Sequence, residues 1–264
     1  MMNLLQLNDE NYYSQEADMQ YMSVSQYKSF RKCEAAAIAK LKGEWKEEHN
    51  DSLLLGSYVH AWLEGALDQF KEKTPSLFTR SGELYSQYKN ADLMIETLKD
   101  DGLCMFALEG EKEVIITAEL FGTHWKSKLD VYNPINGRFV DLKTVKSIYD
   151  KVWTDEYGYC SFVEAYGYTI QMAVYAELEK RWSGRENWLE PFIVAVSKEK
   201  HPDKAVINFD EEIIQLELDE VEENLPRVLS VKHGMDKPNR CEKCAYCRQT
   251  KRLTRVIHYS QILS

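Results

Sequence analysis

Helical stretches on either side of a strand meander predict an α/β fold for this chain, and three observations carry the prediction. Residues 52–70 show strong apolar periodicity, as a buried helix does. Glu113–Glu119, Thr123–Tyr132 and Arg138–Val145 are short runs separated by turn residues, which is the pattern of three consecutive strands. A second helical stretch, Phe162–Trp182, precedes two further strand runs, Phe192–Val196 and Ala205–Phe209.

In chain order, residues 1–21 have little periodicity and are expected to form a loosely ordered arm. Ser23-Val-Ser-Gln26 has capping-box character, and helix is expected from there to about Lys42. The buried helix over 52–70 follows, then one or two helices over 83–101, the meander, the helix over 162–182 and the last two strands. Glu211–Lys232 closes the series as an acidic amphipathic helix. No repeat or low-complexity linker interrupts the pattern. The expected organisation is an arm over 1–22, one helix–strand–helix domain over 23–236, and a basic, cysteine-bearing segment over 237–264 that packs back on the N-terminal helix.

A chain of 264 residues can bury a substantial core. It has no apolar run of about 18 residues and no basic-then-apolar leader, so a soluble, intracellular protein with no membrane contact is expected. The formal charge of −10 argues against binding nucleic acid through bulk charge, because phosphate contacts need Lys and Arg. The charge is unevenly spread, however. Residues 237–258 hold Lys237, Arg240, Lys243, Arg248, Lys251, Arg252 and Arg255 against Glu242 alone, +6 in all, which leaves −16 on the rest. A basic segment on an acidic body suits a nucleic-acid contact, a partner tail or a solvated end equally well.

The densest chemistry lies in FGTHWKSKLDVYNPINGRFVDLKT, Phe121 to Thr144. Strand side chains alternate, so Asp141 and Lys143 share a face. Asn133-Pro-Ile-Asn-Gly137 supplies hairpin chemistry. A loop symmetric about residues 135 and 136 places Asp130 directly opposite Asp141. A two-residue Asn136-Gly137 turn places it opposite Lys143 and diagonal to Asp141. Either register gathers all three groups on one side of the sheet, where two acids and a lysine can hold a divalent metal beside a water. Exposed cross-strand pairing also produces Asp-x-Lys patterns. The apolar Phe139-Val140 run before this one, and Thr144 after it, place it at the end of a core strand.

Two helices offer further groups. Gly56-Ser-Tyr-Val-His60-Ala-Trp-Leu-Glu64 puts His60 and Glu64 on one helical face. A lone helical histidine is ordinarily a packed or surface residue, but beside Asp130, Asp141 and Lys143 a neutral imidazole is a suitable additional metal ligand. In Tyr168-Thr-Ile-Gln171-Met-Ala-Val-Tyr175 the same spacing sets Gln171 and Tyr175 together, to bond a phosphate, brace the strand, or simply tip a half-buried helix face.

Cys241-Glu-Lys-Cys244-Ala-Tyr-Cys247 concentrates three thiols in a basic segment that favours thiolates. Three ligands are one short of a closed site, and Cys33 is the best fourth. Cys104 and Cys160 sit in apolar surroundings and read as core. One remote and three clustered cysteines point to a 4Fe-4S cluster, with zinc as the alternative.

Taken in order, Gly56-x-x-x-His60, Asp130, Asp141-Leu-Lys143-Thr144 and Gln171-x-x-x-Tyr175 resemble the PD-(D/E)XK nuclease superfamily, in its RecB-like and RecE-like (exonuclease VIII) branch. The stretch Tyr21-Met-Ser-Val-Ser-Gln-Tyr-Lys-Ser-Phe-Arg-Lys-Cys33 is similar to that family's first helix, so the likeness spans roughly residues 20–250. It implies a central mixed β-sheet flanked by helices in a restriction-endonuclease-like core. It also implies a Mg2+-dependent (or Mn2+-dependent) deoxyribonuclease acting on linear double-stranded DNA as an exonuclease. His60, Asp130, Asp141 and the Leu142 carbonyl are then expected to hold the metal, Lys143 to orient the attacking water, and Gln171 and Tyr175 to support catalysis. The resemblance further suggests phage or prophage recombination in the cytoplasm of a bacterial host, beside a single-strand annealing partner and with a homo-oligomer conceivable. RecB-like nucleases with a cluster share the one-early, three-late cysteine order, but have a longer final gap than the two residues between Cys244 and Cys247. The competing reading is a catalytically inactive nucleic-acid-binding module that keeps the cysteine-bound metal.

Overall fold

Side-chain alternation builds the meander as expected. A computed structural model of the chain describes residues 4–46, 51–86, 88–155 and 157–261. Strands β1 (Glu111–Leu120), β2 (Thr123–Asn133) and β3 (Arg138–Val145) pair antiparallel in sequence. The β1–β2 turn is two residues, Phe121 and Gly122, with φ of 51° and 75°. Positive φ at both positions gives the turn the twist that antiparallel strands share. Beyond a small hairpin, β4 (Val152–Thr154) with β5 (Gly158–Cys160), come β6 (Glu190–Ser197) and β7 (Lys204–Asn208). The main sheet has the order β1-β2-β3-β6-β7, with β3 and β6 parallel and every other pair antiparallel. It is the expected mixed sheet. β3 lies at its centre, which is why Phe139, Val140 and Leu142 are all fully buried.

The helices are α1 (Gln15–Gln20), α2 (Val24–Lys32), α3 (Glu34–Leu41), α4 (Asp51–Leu63), α5 (Leu67–Lys73), α6 (Asn90–Lys99), α7 (Gly102–Ala107), α8 (Phe162–Ala165), α9 (Tyr168–Ser183), α10 (Glu211–Lys232) and α11 (Ala245–Gln249). Chain contacts divide into two compact units, Met1–Val24 with Glu48–Glu223 and Ser25–Glu47 with Asn224–Ser264. These bounds differ from the 22/23 and 236/237 divisions expected above, and one of them falls inside α10.

In the first unit, Tyr58 and Val59 of α4 pack with Met94, Ile95 and Leu98 of α6 on Val131, Val140, Leu142, Val194 and Val196 of the sheet. A parallel β3–β6 pair needs a crossover, and α8 and α9 supply it. The single helix expected over 162–182 is in fact two, separated at Gly167, whose φ of 60° suits a residue without a Cβ. Ser161 and Glu164 form a capping box at the start of α8. The helix expected over 52–70 likewise divides, into α4 and α5.

The N-terminal segment is a correction. Residues 1–3 lie outside the described ones, but the rest of the expected loose arm is well tied. Tyr12, Ala17 and Tyr21 are buried. Lys126, itself buried, bonds the Tyr12 carbonyl and pairs with Asp18 at 2.8 Å. Met22 bridges alongside Trp125 on β2, where β3 does not reach. These are tertiary bonds, so they leave no periodicity in the sequence.

In the second unit the expected helix over 23–42 is interrupted. Cys33 is extended, with φ −166° and ψ 104°, and separates α2 from α3. Arg227 grips Glu34 through two bonds of 2.9 and 2.7 Å. Those bonds hold the Glu34 carboxyl below the ordinary carboxylate range. The same carboxylate accepts the Asn239 N–H at 2.6 Å, and the Asn239 carbonyl accepts Ala35 N–H at 3.0 Å.

Candidate active site

The Asp130–Asp141 relation follows from the hairpin register. Val131 pairs with Val140, Tyr132 with Phe139 and Asn133 with Arg138. This is the loop symmetric about residues 135 and 136, so Asp130 falls opposite Asp141. Regular pairing of the two strands ends at Val131–Val140. There the Asp130 side chain takes over, its Oδ2 accepting the Leu142 N–H at 2.7 Å. One carboxylate oxygen thus holds β2 to β3 at the point where they part.

Asp141 is buried and engaged at both oxygens. Gln171 of α9 donates Nε2 to Oδ1 at 2.6 Å, and Lys143 Nζ lies 2.5 Å from Oδ2. Gln171 therefore braces β3, and Tyr175 follows it one turn on along α9. Burial, followed by Tyr12, Asp141 and Asp130, pushes the Tyr175 hydroxyl well above the ordinary tyrosine value, so it stays protonated. From the other side of the sheet, His60 of α4 brings Nδ1 to 3.6 Å from Asp130 Oδ2. That approach depends on Gly56, one turn earlier, where an added Cβ would stand 2.9 Å from Thr144 Oγ1. The glycine lets α4 lie against β3. His60, Asp130, Asp141, Lys143, Gln171 and Tyr175 are thus brought together, with the Leu142 side chain buried in the core.

The electrostatics follow from crowding acids in a dry place. Burial, reinforced by the Asp141 charge, pushes the Asp130 carboxyl up to about 6 despite His60, Lys143 and the Leu142 N–H, which oppose the rise. Burial works against the Lys143 ammonium, but Asp141 and Asp130 outweigh it and hold its pKa above the ordinary lysine value. The ammonium also lies 4.8 Å from the Tyr168 ring centroid.

The sequence reading missed part of the surrounding wall. A cavity of about 580 Å³ opens over His60, Asp130 and Lys143, and is also lined by Glu64, Glu113, Lys128 and Tyr168. Lys112–Val131 and Val114–Leu129 pairing places Glu113 opposite Asp130, with φ of 57°. Glu113 pairs with Lys128 at 2.5 Å. Burial first, then the Glu113 charge, raises the Glu64 pKa. Glu113 and Lys128 were findable in principle, since both follow from carrying the strand register one pair further. Lys73 and Lys198 stand at the same cavity, so its acidic floor is edged with cations.

His60, Asp130 and Asp141 are hard or borderline donors of the kind that bind Mg2+ or Mn2+, and a cation would stabilise the Asp130 carboxylate that burial disfavours. In kind, the donors fit. Among the described residues, however, only four cysteines bring three or more ligand atoms all within 4.8 Å of one another. In this conformation Lys143 holds the Asp141 oxygen that a cation would take, so binding requires that contact to open.

The four cysteines belong to the second unit. Cys33 Sγ lies 3.6 Å and Cys241 Sγ 3.9 Å from Cys247 Sγ, and Cys244 completes the group. Burial works against the Cys241 thiolate, but N–H groups of Cys244 and Lys243 outweigh it and bring its pKa down to about 6. Cys247 is pushed up to about 12, first by burial. Cys104 and Cys160 are buried elsewhere, as expected of core residues.

Residues 23–250 match the family described as a PDDEXK-like domain of unknown function, DUF3799. A crystal structure of a protein named "Putative exonuclease", from Eubacterium rectale, is similar over 98% of this chain and 98% of its own, at 42% identity and a TM-score of 0.91. A structure of SSO0001 aligns with 80% of this chain and 89% of its own at 16% identity, and its TM-score of 0.27 carries no argument. No curated protein matches the chain.

Proposed function

This chain belongs to the PDDEXK-like DUF3799 family, within the PD-(D/E)XK nuclease superfamily, and from that premise we propose that it is a metal-dependent exonuclease of linear double-stranded DNA. The observation that carries the reading is the meeting of His60, Asp130 and Lys143 at one cavity, with Asp141 paired to Lys143, drawn from one helix and two strands. The name of the Eubacterium rectale protein supports the exonuclease class. Work in phage or prophage recombination, beside a single-strand annealing partner and with self-association, is the biological setting we attach to it.

His60, Asp130, Asp141 and the Leu142 carbonyl would hold Mg2+ or Mn2+ in this reading. When bound, the cation supplies charge neutralisation at the scissile phosphate and a water of lowered pKa. The chain's own residues do the rest. Asp130 accepts the Leu142 N–H and so fixes the Asp141–Leu142 peptide, the unit that precedes the Leu142 carbonyl. Gln171 locks the Asp141 rotamer by holding Oδ1, leaving Oδ2 as the oxygen exchanged between partners. Lys143, kept charged beside Asp141, is placed to orient the water or to stabilise charge growing on phosphate oxygen. Lys73, Lys128 and Lys198 edge the cavity and offer contacts to neighbouring phosphates, which lets a net acidic protein hold a polyanion locally. The four cysteines would serve as a structural metal centre of the second unit.

The test is digestion of DNA labelled at its ends. The proposal predicts release of label from linear duplex with Mg2+ or Mn2+, none with chelator, and closed circular DNA left intact. Equal cutting of circles would replace the exonuclease reading by an endonuclease one. No cleavage of any substrate with either metal would leave a binding module.

A further inference from the structure

The one-early, three-late cysteine pattern points to a 4Fe-4S cluster, and the geometry disagrees. A cubane places its four thiolate sulfurs roughly 6 Å apart, because each sulfur lies outside its own iron corner. Here Cys33 Sγ and Cys247 Sγ are 3.6 Å apart and Cys241 Sγ and Cys247 Sγ 3.9 Å apart. All four sulfurs lie within 4.8 Å of one another. A single tetrahedral zinc with bonds of about 2.3 Å sets its sulfurs about 3.8 Å apart. The space between these sulfurs is the size of one ion.

From these separations we infer that Cys33, Cys241, Cys244 and Cys247 form a closed mononuclear zinc site whose role is to hold the second unit together. The local backbone is built for it. The extended Cys33 interrupts what would otherwise be one helix. In the Cys241-x-x-Cys244-x-x-Cys247 turn, Cys244 N–H points to Cys241 Sγ at 3.3 Å and Cys247 N–H to Cys244 Sγ at 3.4 Å. Amides aimed at sulfur offset thiolate charge, as second-shell donors do at a metal. Four thiolates around a divalent ion leave a charge of −2, and the site lies in the most basic stretch of the chain, with Arg240 bonded to the Cys247 carbonyl at 2.8 Å. All four positions are taken by protein, so no open position remains for substrate. The ion closes a link between residue 33 and residues 241–247, beside the bonds that Glu34 and Ala35 make to Asn239.

The inference concerns a site remote in role from hydrolysis, so its test does not pass through DNA. The full chain is purified both with and without oxygen from cells given no added metal, and its zinc, iron and acid-labile sulfide are measured. About one zinc per chain, with no sulfide and a colourless protein under both conditions, is the expected result. Exchange with Co2+ should then give the visible bands of tetrahedral cobalt thiolate, and Cys241→Ser should lose that spectrum or most of the zinc. Wild-type protein stripped by a strong chelator should unfold at lower temperature and recover on adding Zn2+, which covers the case of a serine variant that does not fold. A brown protein with about four irons and four sulfides per chain overturns the inference. So does one iron without sulfide, or a metal-free chain with Cys33 joined to Cys247. Zinc-loaded protein that cuts no DNA would remove the nuclease proposal and leave this one standing.

Discussion

Asp141→Asn is expected to lower Mg2+-dependent hydrolysis of linear DNA by at least about a thousandfold, about 4 kcal/mol of transition-state stabilisation. The amide is nearly isosteric and can still accept the bond from Gln171 Nε2, so the packing around β3 survives. What disappears is the charge that Lys143 and a cation would share. Thermal unfolding should move by no more than a few degrees. Lys143→Met should lose comparable activity for a different reason, and retain metal binding where Asp141→Asn does not. Wild-type rates in either variant, measured on end-labelled duplex with excess Mg2+, would remove both residues from the chemistry.

The second large effect is on stability. Glu179 of α9 is completely buried, and its Oε1 accepts from Arg185 Nε at 3.0 Å and from Tyr132 hydroxyl at 2.8 Å. Its Oε2 is buried with no hydrogen bond among the described residues. Arg185→Ala leaves a carboxylate inside the protein with one hydroxyl for company. The expected loss is about 3 kcal/mol, because an uncompensated buried charge costs far more than the intact pair contributes. Urea unfolding should show a lower midpoint at unchanged slope, and Arg185→Lys should recover part of it. Specific nuclease activity per folded molecule should stay near wild type, since neither residue reaches the cavity. A loss below about 1 kcal/mol would mean that water replaces the guanidinium and the pair is effectively a surface one.

These two sites differ in how far the sequence discloses them. Asp130, Asp141 and Lys143 were legible because strands alternate and the Asn133–Gly137 turn allows few registers; either choice left the three groups on one face. His60 was a candidate from donor chemistry alone, since helical spacing says which face a residue takes and not what that face meets. Gly56 was legible only as part of a motif, and its physical reason, the 2.9 Å that an added Cβ would leave to Thr144 Oγ1, is a tertiary fact. Glu179 and Arg185 gave no signal, because a charged residue inside an amphipathic helix normally faces water. The N-terminal segment was misread for a related reason: Lys126, Asp18 and Met22 order it through contacts far apart in sequence. Nothing in Phe30-Arg-Lys-Cys-Glu34 announces a helix break at Cys33. Counting cysteines found the right four, but their spacing along the chain could not measure the distance between sulfurs, and that distance is what separates zinc from a cluster.

The most direct test of the site is crystallographic. Crystals of the full chain soaked in Mn2+ should show an anomalous peak touching Asp130 and Asp141, with His60 and the Leu142 carbonyl alongside and the Lys143 ammonium moved off Asp141 Oδ2. An Asp130→Asn crystal treated alike should lose the peak. Manganese bound elsewhere, or none while Lys143 and Asp141 stay 2.5 Å apart at saturating metal, would contradict the account.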